Sequence, residues 1–155
     1  MKIIMIAVGT KMPAWVTTGF TEYQKRMPPE LKLELHEIQP DKRRQGDIAK
    51  ITEREGQAIL EAIPKKAYVI ALDEHGKEFD SVALAKKLGA WKNYGQDIAL
   101  LIGGPDGLSQ ACKDRAQELW SLSKLTLPHP LVRVVLAETL YRAYSIDAGL
   151  PYHRA

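Results

Sequence analysis

The chain has one cysteine, two phenylalanines and no long apolar run. A lone thiol, Cys112, forms no intramolecular disulfide, so a cytoplasmic compartment is expected. Cys112 lies early in the helix after the glycine turn, a position that can lend thiolate character, but free cysteine is usually buried and it reads as a buried, inert thiol. No stretch approaches the length of a membrane span. Residues 1–9 are too short for a signal sequence and lack the small-residue cleavage pattern. No Walker lysine follows the glycines at 103–107, so P-loop nucleotide hydrolysis is not expected. The first apolar run ends in Gly9-Thr10-Lys11-Met12-Pro13, which lacks the spaced glycines of a dinucleotide fingerprint. The four histidines and the cysteine show no metal-ligand spacing, so no metal is expected, and there is no nucleophilic serine elbow. A strong charge of one sign is also missing. With 22 Lys and Arg against 19 Asp and Glu, the net charge of +3 permits a nucleic-acid partner without demanding one.

The 155 residues suit one domain, residues 1–155, with one substantial core. Apolar runs alternate with helical periodicity, which predicts an α/β layered sheet. Ile3–Val8 reads as a buried parallel strand. A helix follows from Pro13 to about Arg26, with Trp15, Val16, Phe20 and Tyr23 on its stripe and Trp15 and Phe20 expected in the core. Leu31, Leu33 and Leu35 alternate with Lys32, Glu34 and His36, as in an edge strand. Lys42, Arg43 and Arg44 sit in a loop that can attract phosphate. Asp47 is expected to cap a helix through Ile63. Ala67–Leu72 is a second buried strand, and 73–77 reads as its carboxyl-end turn. Asp80 or Ser81 caps a helix to about Tyr94, closed by Gly95.

The centre is Ile98–Ile102 followed by Gly103-Gly104-Pro105-Asp106-Gly107-Leu108-Ser109. This is a strand, a glycine-rich turn and a helix capped by Ser109, expected over Gln110 to about Glu118. Glycines let backbone approach a ligand closely, and ligands bind at the carboxyl ends of strands in open α/β sheets. Beyond it, Pro128-His129-Pro130 forces an extended turn. The helix Leu131 to about Ile146 is apolar on nearly every face, so burial against a second subunit is expected. The tail carries Tyr152, His153 and Arg154. Tyrosine and histidine can stack on a base and arginine can grip phosphate, although a polar end with no role would look the same.

Taken together, Val8-Gly9-Thr10-Lys11-Met12-Pro13, Gly19-Phe20-Thr21-Glu22-Tyr23, Leu101-Ile102-Gly103-Gly104-Pro105, Gly107-Leu108-Ser109, Trp120-Ser121-Leu122-Ser123, Leu125-Thr126-Leu127-Pro128-His129-Pro130-Leu131-Val132-Arg133 and Pro151-Tyr152-His153-Arg154 form a specific set. Over essentially the whole chain it resembles the YbeA family, the ribosomal RNA large-subunit methyltransferases H of the SPOUT class. The resemblance implies a SPOUT-type α/β knot: a mostly parallel sheet flanked by helices, with a carboxyl-terminal trefoil knot. It implies a homodimer through the last helix. It also implies S-adenosyl-L-methionine-dependent methylation of N3 of a pseudouridine in helix 69 of 23S rRNA, on the assembled 70S ribosome. By that likeness the cofactor meets Leu72, Gly103, Gly104 and the loop Leu122, Ser123, Lys124, Leu125, Thr126 and Leu127. Because the donor's methyl is already reactive, orientation and removal of one proton are the protein's tasks. His153, Arg154 and Arg142 are the candidates for catalysis. Lys11, Lys42, Arg43, Arg44, Arg133 and Tyr152 are the candidates for RNA contact. Three alternatives stay open: a SPOUT enzyme acting on another RNA position, a non-enzymatic ribosome-associated RNA-binding protein, and a small α/β dimer with some metabolite ligand.

Overall fold

The computed structural model describes residues 1–41 and 47–153. Its strands are β1 (Lys2–Val8), β2 (Lys32–Ile38), β3 (Tyr68–Lys77), β4 (Ile98–Ile102) and β5 (Glu118–Trp120). The helices are α1 (Ala14–Gln24), α2 (Ile48–Ala62), α3 (Ser81–Trp91), α4 (Gln110–Arg115) and α5 (His129–Ala148). The strands form one sheet in the order β2-β1-β4-β3-β5, and every pairing is parallel.

Two cores cover the sheet. Ile3, Met5 and Leu100 face α1, α3 and α5, while Ile4, Ile6 and Leu101 face α2 and α4. Period-two alternation sends neighbouring residues to opposite cores, so a strand buried on both faces reads as an unbroken apolar run. The connections β1 to β2 and β3 to β4 run one way along the sheet, over the α1/α3/α5 face. The connections β2 to β3 and β4 to β5 run the other way, over the α2/α4 face. Reversing both direction and face keeps all four crossovers of one hand, as parallel crossovers require.

Helix starts follow local chemistry at two places. Asp80 accepts from the Ala83 amide at 2.8 Å and Ser109 from the Cys112 amide at 3.3 Å. Asp47 stands at the N-cap of α2 but makes no side-chain cap bond. β2 is an edge strand as read, and Cys112 is buried. Burial raises the Cys112 thiol pKa against the opposing Ser109 hydrogen bond, which keeps it an inert thiol.

Four expectations need correction. Residues 73–77 are not a simple turn. The chain leaves the sheet after Leu72 and returns so that Lys77 pairs with Trp120 again. α4 ends at Arg115, because Glu118 already belongs to β5. Trp15 is 58% exposed, since Val16 and Phe20, four apart, take the inward stripe of α1. Arg133 is 1% exposed, an interior residue.

β5 is short and held by side chains. Glu118 accepts from Tyr68 Oη at 2.5 Å, Lys87 Nζ at 2.8 Å and Trp120 Nε1 at 3.0 Å. Burial alone would raise the Glu118 carboxyl pKa, but these three donors outweigh it and hold the group below the usual range. Burial, then the bond to Glu118, pushes the Tyr68 phenol up to about 12. Trp120 stacks on Trp91 with centroids 5.7 Å apart. The chain is thereby pinned just before it turns back across the strand ends. Among the described residues no helix is long and apolar enough to cross a membrane.

Candidate functional site

β4 lies between β1 and β3, and the helix after β4 covers the opposite face from the helices after its two neighbours. Diverging connections open a crevice at such carboxyl ends. A pocket of about 640 Å³ lies there. Its walls come from β3 where it leaves the sheet (Leu72, Asp73, Glu74), the glycine turn (Ile102–Leu108), the segment from Trp120 to Pro128, and His129 and Val132 of α5.

Each wall has a local cause. Gly107 takes φ +79° and its amide bonds the Gly104 carbonyl at 3.0 Å, which closes a tight turn. Gly103 is needed for a different reason. A Cβ there would lie 2.5 Å from the Gly107 carbonyl carbon and 2.8 Å from the Leu108 amide nitrogen. The loop after β5 is self-bonded. Ser121 Oγ donates to the Ser123 carbonyl at 2.9 Å, and Ser123 Oγ accepts from the Leu125 amide at 2.9 Å. The Ser123 hydroxyl therefore shapes its own loop. Leu125 is 76% exposed, an apolar side chain held out at the pocket rim.

Of the residues expected around a cofactor, Leu72, Gly103, Gly104, Leu122, Ser123, Leu125, Thr126 and Leu127 line this pocket. Lys124 is exposed beside it and is not part of its lining. Sequence reading missed Lys113 and left Asp73 and Glu74 undecided. The Lys113 ammonium sits 3.2 Å from the Asp73 carboxylate. With Asp73, Glu74 and Asp106 against Lys113, the lining is acidic on balance.

Among the described residues, the expected catalytic and RNA-contacting side chains Lys11, Arg133, Arg142, Tyr152 and His153 are not part of this pocket's lining. Arg142, Tyr152 and His153 gather at the other end of α5. Gly149, at φ +70°, ends the helix in the left-handed conformation, and the Leu150 amide bonds the Ser145 carbonyl at 2.9 Å. The tail therefore folds back. Tyr152 Oη donates to Glu138 Oε2 at 2.8 Å, and its ring meets Tyr141 edge-on at 4.8 Å. Burial first, then the bonds to Tyr23 and Glu138, drives the Tyr152 phenol pKa upward, so it stays a donor. Its ring is already packed in this chain, with the Arg142 guanidinium 5.1 Å from the ring centre. Arg142 pairs with Glu138 at 2.8 Å. His153 Nδ1 lies 2.9 Å from Ser145 Oγ.

Arg133 is not an RNA-facing group. Nη1 donates to Glu37 Oε2 at 2.6 Å and Nη2 to the Gly9 carbonyl at 2.8 Å, which ties α5 to the ends of β1 and β2. Lys11 is exposed at φ +54°, in the loop after β1. Lys42, Arg43, Arg44 and Arg154 lie outside the described residues. Sixteen residues separate His129 from Ser145, which is about 24 Å along the helix at about 1.5 Å per residue.

A family model described as "Predicted SPOUT methyltransferase" matches residues 1–153. Among solved structures, the chain resembles a probable methylase family protein from Haemophilus influenzae Rd KW20. The identity is 11% and the TM-score 0.59, over 99% of this chain and 70% of that one. At that identity the likeness concerns the fold.

Proposed function

The chain belongs to the SPOUT methyltransferase family, and on that premise we propose that it methylates N3 of a pseudouridine in helix 69 of 23S rRNA, within the assembled 70S ribosome, using S-adenosyl-L-methionine. The pocket carries this reading: Leu72, Gly103 and the 122–127 loop, far apart in sequence, converge on one cavity.

The cavity fits the donor. About 640 Å³ is an ordinary size for a small-molecule site. Leu72, Leu122, Leu125, Leu127 and Val132 offer apolar surface to an adenine, and loop backbone groups can meet its polar edge. The acidic balance of Asp73, Glu74 and Asp106 suits a ligand that carries a sulfonium and an ammonium. When bound, the donor supplies an electrophilic methyl on a cationic sulfur. The chain holds the acceptor base in line with that methyl and takes the N3 proton. His153 takes the proton. Arg142 and Arg154 orient the base or its phosphate, Lys11, Lys42, Arg43 and Arg44 hold RNA backbone, and Tyr152 braces the tail.

On one chain the pocket reaches Val132, and His153 sits against Ser145, about 20 Å further along the helix at about 1.5 Å per residue, so the reading includes a homodimer packed through α5, with one subunit's tail at the other's pocket. Two observations support it. Leu131, Val134, Val135, Tyr141 and Ile146 of α5 keep part of their apolar surface exposed in one chain, and Trp15 stands exposed on the neighbouring α1. The trefoil crossing belongs to the same reading. The passage of the 121–128 segment across the ends of β3 and β4 before α5 supports it.

The test is transfer of labelled methyl to 70S ribosomes lacking the modification, with free 23S rRNA and transfer RNA as competitors and the product base located by mass spectrometry. Label at N3 of the helix 69 pseudouridine, on 70S particles alone, is expected. Label on transfer RNA or another ribosomal position would replace the substrate, and donor binding without any transfer would overturn the reading.

A further inference from the structure

His153 is half-buried, and among the described residues its ring meets one hydroxyl. Ser145 is 0% exposed, on the last full turn of α5. Its Oγ stands 2.8 Å from the Arg142 carbonyl oxygen and 2.9 Å from His153 Nδ1. A hydroxyl has one proton to give and two lone pairs to accept with. No water reaches this one, so its proton goes to one of these two partners.

The choice follows from the oxygens. Ser145 Oγ and the Arg142 carbonyl oxygen are close enough to repel unless a proton lies between them. If Ser145 gave its proton to His153, that contact would have none. Donation to the carbonyl three residues back is also the ordinary habit of a helical serine. With its proton so committed, Ser145 Oγ accepts, and His153 Nδ1 must carry the hydrogen. Neutral His153 then bears its lone pair on Nε2, across the ring from Ser145.

The geometry points to Ser145 as the positioning residue that fixes the tautomer and orientation of His153, leaving Nε2 as the proton acceptor. This rests on the proposed function for the identity of the proton, which comes from N3–H of the base. As the N3–methyl bond forms, the methyl–sulfur pair returns to sulfur. The N3 proton goes to Nε2, giving an imidazolium whose Nδ1–H still donates to Ser145. The Gly149 turn and the Tyr152–Glu138 bond bring the ring back to Ser145.

The experiment is long-range nitrogen–proton NMR of histidine-labelled full chain at pH ~8.5, where an ordinary imidazole is neutral, with the His153 signals assigned by loss in His153→Gln. The wild-type ring is expected to be protonated at Nδ1. Protonation at Nε2 overturns the proposal. Ser145→Ala is expected to shift the ring toward the Nε2–H form and to lower kcat for methyl transfer about tenfold, with KM and donor affinity unchanged. Ser145→Thr, which keeps the hydroxyl, is expected to restore both. A Ser145→Ala ring that keeps Nδ1–H, or an unchanged kcat, contradicts the positioning role. The NMR measurement needs no substrate, so Nδ1–H without ribosome methylation sinks the substrate reading alone.

Discussion

Gly103→Ala is expected to raise the dissociation constant for S-adenosyl-L-methionine by at least about a hundredfold in calorimetric titration. The new Cβ would lie 2.5 Å from the Gly107 carbonyl carbon, 2.7 Å from its oxygen and 2.8 Å from the Leu108 amide nitrogen. All three are backbone atoms, so no side chain can swing aside to make room. The turn from 103 to 108 must open, and that turn is one wall of the pocket. Gly95→Ala is the control. Gly95 sits at positive φ, +66°, but a Cβ there meets nothing within 4 Å. It is expected to cost about 1 kcal/mol of stability through backbone strain and to leave donor affinity unchanged. A Gly103→Ala protein that binds the donor as the wild type does would remove the glycine turn from the site.

Glu37→Ala is expected to destabilise the protein by about 3 kcal/mol, more than Arg133→Met, which is expected to cost about 1–2 kcal/mol. The asymmetry comes from burial. Arg133 is 1% exposed, whereas the Glu37 side chain is 38% exposed. Removing Glu37 leaves a buried guanidinium with the Gly9 carbonyl as its remaining bonded partner among the described residues. Removing Arg133 instead frees a carboxylate that water can reach. It leaves the Gly9 carbonyl short of a donor, while methionine fills much of the space. Urea titration at one fixed chain concentration reads both values, since a dimer's stability depends on concentration. Equal costs, or a larger cost for Arg133→Met, would contradict the account of this pair.

Arg133 also shows where sequence reading stops. A basic residue just after a cofactor loop reads as an RNA contact. Its partners, Glu37 and Gly9, are 96 and 124 positions away, and no local pattern reveals them. Trp15 failed for a related reason. Trp15, Val16 and Phe20 all fit a loose apolar stripe, and only packing decides which turn inward. The excursion at 73–76 returns because Lys77 pairs with Trp120, a tertiary event. What was legible depended on short-range physics. Unbroken apolar runs ending in glycine gave β1 and β4. Asp80 and Ser109 marked helix starts. α3, by contrast, stops at Trp91 with Lys92 in the right-handed conformation, so it ends short of Tyr94 and Gly95 does not close it as expected. The pocket was half legible. The glycine turn and the end of β3 could be read from strand pattern and parallel geometry, whereas the 122–127 loop came only from family likeness. The strand order that brings them together has no signature in a single strand's pattern.

The most direct test of a site shared between two chains is a defined heterodimer. One subunit carries His153→Ala and keeps its pocket; the other carries Gly103→Ala and keeps its tail. The two are co-expressed with different tags and purified in tandem. Each parent homodimer is expected to be inactive in methyl transfer to 70S ribosomes. The heterodimer holds one complete site out of two and is expected to recover about half the wild-type rate. A heterodimer as inactive as its parents would contradict the account.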